Sequence, residues 1–242
     1  MTTFVLVHGA FHGAWCWVKA IPALEARGCR AVAIDLPGFG DDRTPIADIS
    51  LDGNAAAVAA AVRRERESVV LVGHSLGGVS IAAACELVPK RVRLAIYLAA
   101  FLPRDGDSVA SLSASPAARK DSGPSAFVRA ADGLSFSPVP ERARGIFYSR
   151  CSDADVAYAV PRFRAQPYSV QKSVLHLTAE RYGRVPRAYI ECLHDNAISL
   201  GLQRDMAAKS GCRDVVSLPT DHSPFFSAPE LLAETLIDLA SH

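Results

Sequence analysis

Residues 69–78 read Val69-Val70-Leu71-Val72-Gly73-His74-Ser75-Leu76-Gly77-Gly78. Four consecutive apolar residues without polar alternation predict a strand buried on both faces. A helix-like run over about 77–88 follows directly. The serine therefore sits at the centre of G-x-S-x-G on a very tight strand-to-helix turn. Such a turn strains the backbone and pushes the hydroxyl out above the sheet. Glycine two residues before and two after leaves room for it. The helix that follows directs free N–H groups and the positive end of its dipole at the same place. G-x-S-x-G alone is a weak signal, and the strand before it and helix after it make it specific. An ordinary glycine-rich turn would leave the central hydroxyl unexplained, so Ser75 is the candidate nucleophile.

The rest of the first hundred residues alternates in the same way. Short apolar runs at Phe4–Val7, Ala31–Ile34 and Leu94–Ala100 predict further buried strands. Helix-like stretches lie at about 14–27 and about 51–66, the second built on the alanine-rich run 55–62. Gly28 and Pro89 stand just beyond two of the helices, as stop signals. This βαβαβαβ order predicts an α/β doubly wound sheet. The strand pattern returns at Ala188–Leu193 and Val215–Leu218. A final helix over Ala228–Leu239 places Leu231, Leu232, Leu236 and Leu239 on one face.

Between about 103 and 186 the character changes. Pro, Ser, Asp and Arg rise and clear buried strands vanish. Ser111–Pro116 and Ser135–Pro140 read as loops. Four of the ten Phe (127, 136, 147, 163) and four of the six Tyr (148, 158, 168, 182) fall here, more than a polar loop region should carry. An aromatic-bearing insertion in a sheet protein predicts a lid over a pocket. The expected organisation is a core of 1–102 and 187–242 with a cap over 103–186.

Composition narrows the partners. The chain has 242 residues, with 26 Lys and Arg against 25 Asp and Glu. That balance supplies no electrostatic pull toward nucleic acid or an anionic membrane. No apolar run approaches the ~20 residues of a transmembrane helix, and no signal-peptide pattern precedes Phe4. A cytoplasmic location is the expectation. The six cysteines are scattered singly, without a C-x-x-C, and are expected to be reduced. Nothing in the sequence decides between a monomer and a homodimer.

A serine nucleophile needs a base, and the base needs an orienting acid. In an α/β sheet of this kind the chain order is Ser, then Asp or Glu, then His. His222 follows the strand Val215–Leu218 and precedes the last helix. It is the candidate base, since His242 ends the chain and His176 and His194 are less well placed. Asp195 follows the strand Ala188–Leu193 and is the candidate acid. Asp221 is the runner-up, because adjacent residues rarely aim side chains at each other. Asp35 precedes the serine and reads as a turn residue. One oxyanion donor is expected from the Leu76 N–H and the other from the loop His8–Gly13. His8 and His12 lack a carboxylate or cysteine at ligand spacing, so no metal site is expected. No G-x-G-x-x-G follows the first strand, which excludes a dinucleotide fingerprint.

These residues carry a resemblance. Phe4-Val5-Leu6-Val7-His8-Gly9-Ala10, His12-Gly13-Ala14-Trp15 and the 70–78 elbow resemble α/β-hydrolases of the plant methylesterase, salicylate-binding esterase and hydroxynitrile lyase family. Leu98–Pro103 and Ala188–Cys192 are similar to it as well. The resemblance covers the core, about two-thirds of the chain. It implies the α/β-hydrolase fold, a mostly parallel sheet flanked by helices with a small cap before the last two strands. It implies Ser75, Asp195 and His222 as a triad and the N–H groups of Ala10 and Leu76 as an oxyanion hole. No cofactor is implied. The implied substrates are small, often aromatic esters, with aryl carbamates among those of bacterial relatives. The pocket is assigned to Gly9, Phe11 and Phe101 of the core and to Phe127, Phe136 and Phe147 of the cap. Two other readings stay open: a lyase acting on cyanohydrins and a non-catalytic small-ligand receptor. The lyases of the resembled family carry Thr at the position of Gly9 and Lys at that of Ser223.

Overall fold

The computed structural model describes residues 1–118 and 125–242. In chain order the strands are β1 (Thr3–Val7), β2 (Arg30–Ile34), β3 (Val69–His74), β4 (Val92–Leu98), β5 (Phe127–Arg129), β6 (Ser135–Pro138), β7 (Gln166–Pro167), β8 (Arg187–Cys192) and β9 (Asp214–Leu218). Six of them form one sheet in the order β2-β1-β3-β4-β8-β9, every adjacent pair parallel. The unbroken apolar runs follow from burial on two sides. Val5 and Val7 of β1 face one core cluster while Phe4 and Leu6 face the other. In β3, Val69 and Leu71 divide from Val70 and Val72 in the same way.

Among the described residues ten α-helices accompany the sheets: α1 (Ala20–Glu25), α2 (Leu51–Arg64), α3 (Gly77–Leu87), α4 (Val109–Ser113), α5 (Pro140–Phe147), α6 (Asp153–Ala159), α7 (Tyr168–Lys172), α8 (Leu200–Lys209), α9 (Pro224–Ser227) and α10 (Pro229–Ser241). None of the described helices is long and apolar enough to cross a membrane. The expected helix over 14–27 is shorter, a 3₁₀ turn at Ala14–Trp17 followed by α1. The strand expected over 94–100 stops at Leu98, because Ala99 turns to φ 42°. In α10, Leu232, Leu236 and Leu239 are buried, whereas Leu231 is 39% exposed, off the buried face. All six cysteines are free thiols.

The segment between β4 and β8 is richer in regular structure than its composition suggests. Ser135–Pro138, expected as a loop, is the central strand of an antiparallel β5-β6-β7 sheet. Three of its four residues, Ser135, Ser137 and Pro138, are types that propensity reads as turn. Pairing on both sides overrides that. Ser111–Ser113 likewise belongs to α4, started by a reciprocal Ser108–Ser111 capping box. Helix α8 had no counterpart in the sequence reading. It supplies the crossover that the parallel β8–β9 pair requires.

The chain runs from β1 to β2 on one side, then returns to β3 on the other. Ligands in open α/β sheets bind at the carboxyl ends of strands where the order reverses in this way. The loops after β1 and β3 therefore meet at one point above the sheet.

Candidate active site

Ser75 stands at that point with φ 53°. Among the described residues, Phe11 (φ 67°) and Ala99 (φ 42°) are the other non-glycine positions with positive φ, and both belong to loops that meet the elbow. Each such residue costs on the order of 1–3 kcal/mol. Full burial of Val69, Val70, Leu71 and Val72, at about 1.5–3 kcal/mol apiece, offsets the strain at the turn they lead into. The elbow is held by backbone bonds. Ser75 N–H donates to Leu98 (3.2 Å), and Ser75 carbonyl accepts from Gly78 (3.1 Å) and Phe101 (3.0 Å). Close approach sets the glycines. A Cβ at Gly77 would lie 2.5 Å from the His8 carbonyl oxygen, and one at Gly9 would lie 2.7 Å from Ser75 Cβ.

His222 is buried, and its Nδ1 lies 2.7 Å from Asp195 Oδ2. The opposite nitrogen, Nε2, is the one left for the cavity that His222 and Ser75 both line. Asp195 is held from every side. Oδ1 accepts the N–H groups of Ala197 (2.7 Å) and Ile198 (2.9 Å). Oδ2 also accepts from Gln203 Nε2 (3.1 Å). Gln203, on α8, was not singled out from sequence. Its Oε1 accepts the Cys192 N–H at 3.0 Å, which turns its NH₂ toward Asp195. The signal was there: a polar residue on the buried face of a helix that follows the candidate acid. Asp221 is otherwise engaged, accepting from Arg150 N–H, Ser223 N–H and Ser227 Oγ, and so fastens the cap to the His222 loop. Asp35 is the expected turn residue, accepting from the N–H groups of Ala14 (2.6 Å) and Asp41 (3.0 Å).

Three further histidines surround this pair. His8 Nε2 accepts the Leu36 N–H (3.1 Å), so its Nδ1 carries the proton and donates to Gly9 carbonyl (2.8 Å). Gly9 C=O and Ala10 N–H belong to one trans peptide and point in opposite directions. His8 thereby aims the Ala10 N–H. His12 Nδ1 donates to Ala10 carbonyl (2.7 Å), and its Nε2 accepts the hydroxyl of the cap residue Tyr148 (2.6 Å). His74 Nε2 donates to the His222 carbonyl (2.8 Å) and ties the elbow to the His222 loop. The N–H groups of Ala10 and Leu76 donate to no described acceptor.

Burial holds these three rings neutral. It pulls His8 down to about 4 and His12 to about 3, and it pushes His74 well below the usual imidazole value. In the unfolded chain each titrates near ~6.5. Folded values that are depressed mean that the unfolded chain binds protons the folded protein does not. The stability of the neutral form is complete above pH ~6.5 and is lost as pH falls toward the folded values. By pH 4 the loss is roughly 3 kcal/mol each for His8 and His12. Urea unfolding as a function of pH is expected to show uptake of about three protons on unfolding near pH ~5.5. Stability that stays flat from pH 7 to pH 5 would contradict it.

The cavity above Ser75 measures about 230 Å³. Phe11 and Phe101 of the core and Phe127, Phe136 and Phe147 of the segment between β4 and β8 line it. Gly9 does not; it lies beneath Ser75. Phe163 sits one layer back, against His12 (5.4 Å) and Phe147 (6.0 Å). Gln171, Ala197 and Ile198 complete the wall and were not foreseen.

The general α/β-hydrolase family model matches residues 4–235. The chain belongs to the α/β-hydrolase family. This α/β-hydrolase is 34% identical to methylesterase 2 of Arabidopsis thaliana, over 99% of its own length and 96% of the relative's. It is 30% identical to salicylic acid-binding protein 2 of Nicotiana tabacum, over 98% of this chain and 96% of that one. The solved structure of the pyrethroid hydrolase PytH superposes with a TM-score of 0.87 at 28% identity, covering 99% of this hydrolase and 98% of PytH.

Proposed function

We propose that this hydrolase cleaves small, apolar or aromatic carboxylic esters through an acyl-enzyme on Ser75. The observation that carries the reading is the buried Asp195–His222 pair at 2.7 Å, with His222 and the strained Ser75 lining one aromatic-rich cavity. Asp195 accepts the Nδ1 proton, so the free lone pair of His222 is on Nε2. His222 takes the Ser75 proton and Ser75 attacks the ester carbonyl. The N–H groups of Ala10 and Leu76 hold the oxyanion, and His8 and the α3 N-terminus support their aim and charge. His222 then protonates the leaving alcohol. Water, activated by the same ring, releases the acid. Phe127, Phe136, Phe147 and Gln171 of the cap close the cavity from above.

The kinship with methylesterases and esterases supports hydrolysis, and so does the cavity's charge. No Lys or Arg is among its described lining residues, and position 223 is a buried serine. Expulsion of cyanide would need a cation there to stabilise the leaving anion. A threonine at Gly9 would need the backbone to retreat from Ser75, since a Cβ there meets Ser75 Cβ at 2.7 Å. Purified protein is therefore expected to hydrolyse an activated aryl ester readily and to leave mandelonitrile at its background rate. Cyanide release rivalling ester hydrolysis in the same sample would overturn the assignment.

A further inference from the structure

We propose that Gln171 of the cap selects the substrate, and that the preferred ester carries a hydrogen-bonding oxygen on its apolar body. The inference rests on the esterase reading of the cavity and extends it to the substrate's chemistry.

The cavity has five polar side chains in its wall: His12, His74, Ser75, Gln171 and His222. Ser75 and His222 face the reaction. His12 has both nitrogens engaged, and His74 donates to the His222 backbone while its Nδ1 lies against Gly9. Of the three that do not face the reaction, Gln171 is the one whose side chain makes no hydrogen bond at all among the described residues; His74 keeps its Nε2 bond although its buried Nδ1 has no partner. The backbone beneath Gln171 is fixed on three consecutive residues. Tyr168 N–H donates to Leu134 carbonyl (2.9 Å), and the Tyr168 ring stacks on the cavity residue Phe136 at 4.8 Å. Ser169 Oγ donates to Ile49 carbonyl (2.7 Å), and Val170 is fully buried. A free amide on a backbone fixed at its neighbours is a recognition group whose attachment point is set before binding.

The amide offers two donors and one acceptor. A purely apolar substrate that covers it strips its water and returns nothing. One with a hydroxyl, ether or carbonyl oxygen in reach restores the bonds. A volume of about 230 Å³ is below the ~300–1,000 Å³ of drug-sized sites, which favours a single-ring ester. Apart from the histidines and Ser75 the remaining wall is apolar, so the position that meets Gln171 is where a polar substituent gains most.

The test uses tolyl acetates against hydroxyphenyl acetates, meta and para. Methyl and hydroxyl are close in size, so the pairs differ chiefly in hydrogen bonding. Dissociation constants are measured with Ser75→Ala protein, which holds the esters without turnover, and kcat/KM with the Ser75 enzyme. One hydroxylated isomer is expected to be favoured over its tolyl partner by about 5–100-fold in both. Gln171→Met, which keeps the length and removes the hydrogen bonds, is expected to bring that ratio to unity or reverse it. Equal binding within every pair, or a preference that survives Gln171→Met, would overturn the proposal. Hydrolysis by the Ser75 enzyme is read separately. If no ester is cleaved but the binding ratio depends on Gln171, the esterase reading fails and the recognition residue stands.

Discussion

Replacing Ser75 by alanine is expected to leave the protein folded and to lower ester hydrolysis by about 10⁴–10⁶-fold. The bonds that build the elbow run through backbone atoms: Ser75 N–H to Leu98, and Gly78 and Phe101 N–H to Ser75 carbonyl. Alanine keeps all of them. It keeps the Cβ as well and meets φ 53° on the same terms as serine. What disappears is the one hydroxyl in the cavity placed to attack a carbonyl. The oxyanion donors and the aromatic walls stay, so a small residual rate over water is expected and substrate binding persists. Far-UV circular dichroism and a thermal melt check the fold, and initial rates on an activated aryl ester check the chemistry. More than a tenth of the wild-type rate would mean that Ser75 is not the nucleophile.

Asp195→Asn is expected to cost about 10⁴-fold in kcat, because it inverts the protonation of His222. The N–H groups of Ala197 and Ile198 point at Oδ1 and will hold the oxygen of asparagine there. Its NH₂ then faces His222 Nδ1, where a proton has to be accepted. The imidazole answers by carrying its proton on Nε2, the nitrogen that must be bare to activate Ser75. The same NH₂ also meets Gln203 Nε2, donor against donor, so a stability loss of about 1–3 kcal/mol accompanies the change. Asp221→Asn is the matched control. Its carboxylate holds Arg150, Ser223 and Ser227 rather than the imidazole. That variant is expected to lose stability while keeping kcat within about tenfold. Equal losses of kcat in the two variants would remove Asp195 from its role.

What could be read from the linear chain was local. The buried strands announced themselves because a side chain enclosed on both faces leaves no room for polar alternation, as in Val69–Val72. The elbow announced itself because a serine on so tight a turn needs glycine at fixed offsets. The order Ser75, Asp195, His222 followed from where strands end, and the structure pairs Asp195 with His222 behind the cavity that His222 and Ser75 line. Elsewhere the sequence misled. Ser135–Pro138 has the composition of a turn and is a strand, because residues of β5 and β7 seven to thirty-two positions away pair with it. Gly9 looked like pocket wall and lies under Ser75, a matter of how closely two loops from separate strands approach. Gln203, which orients Asp195, and Gln171, which faces the cavity unpaired, are ordinary glutamines until their helices are packed. The same is true of the contrast between Asp195 and Asp221. Either could serve His222 on sequence grounds, and only folding spends the second carboxylate on the cap. Periodicity and turn stereochemistry act over a few residues and are written in the chain. The partner of a buried polar group is chosen by loops that meet only in three dimensions.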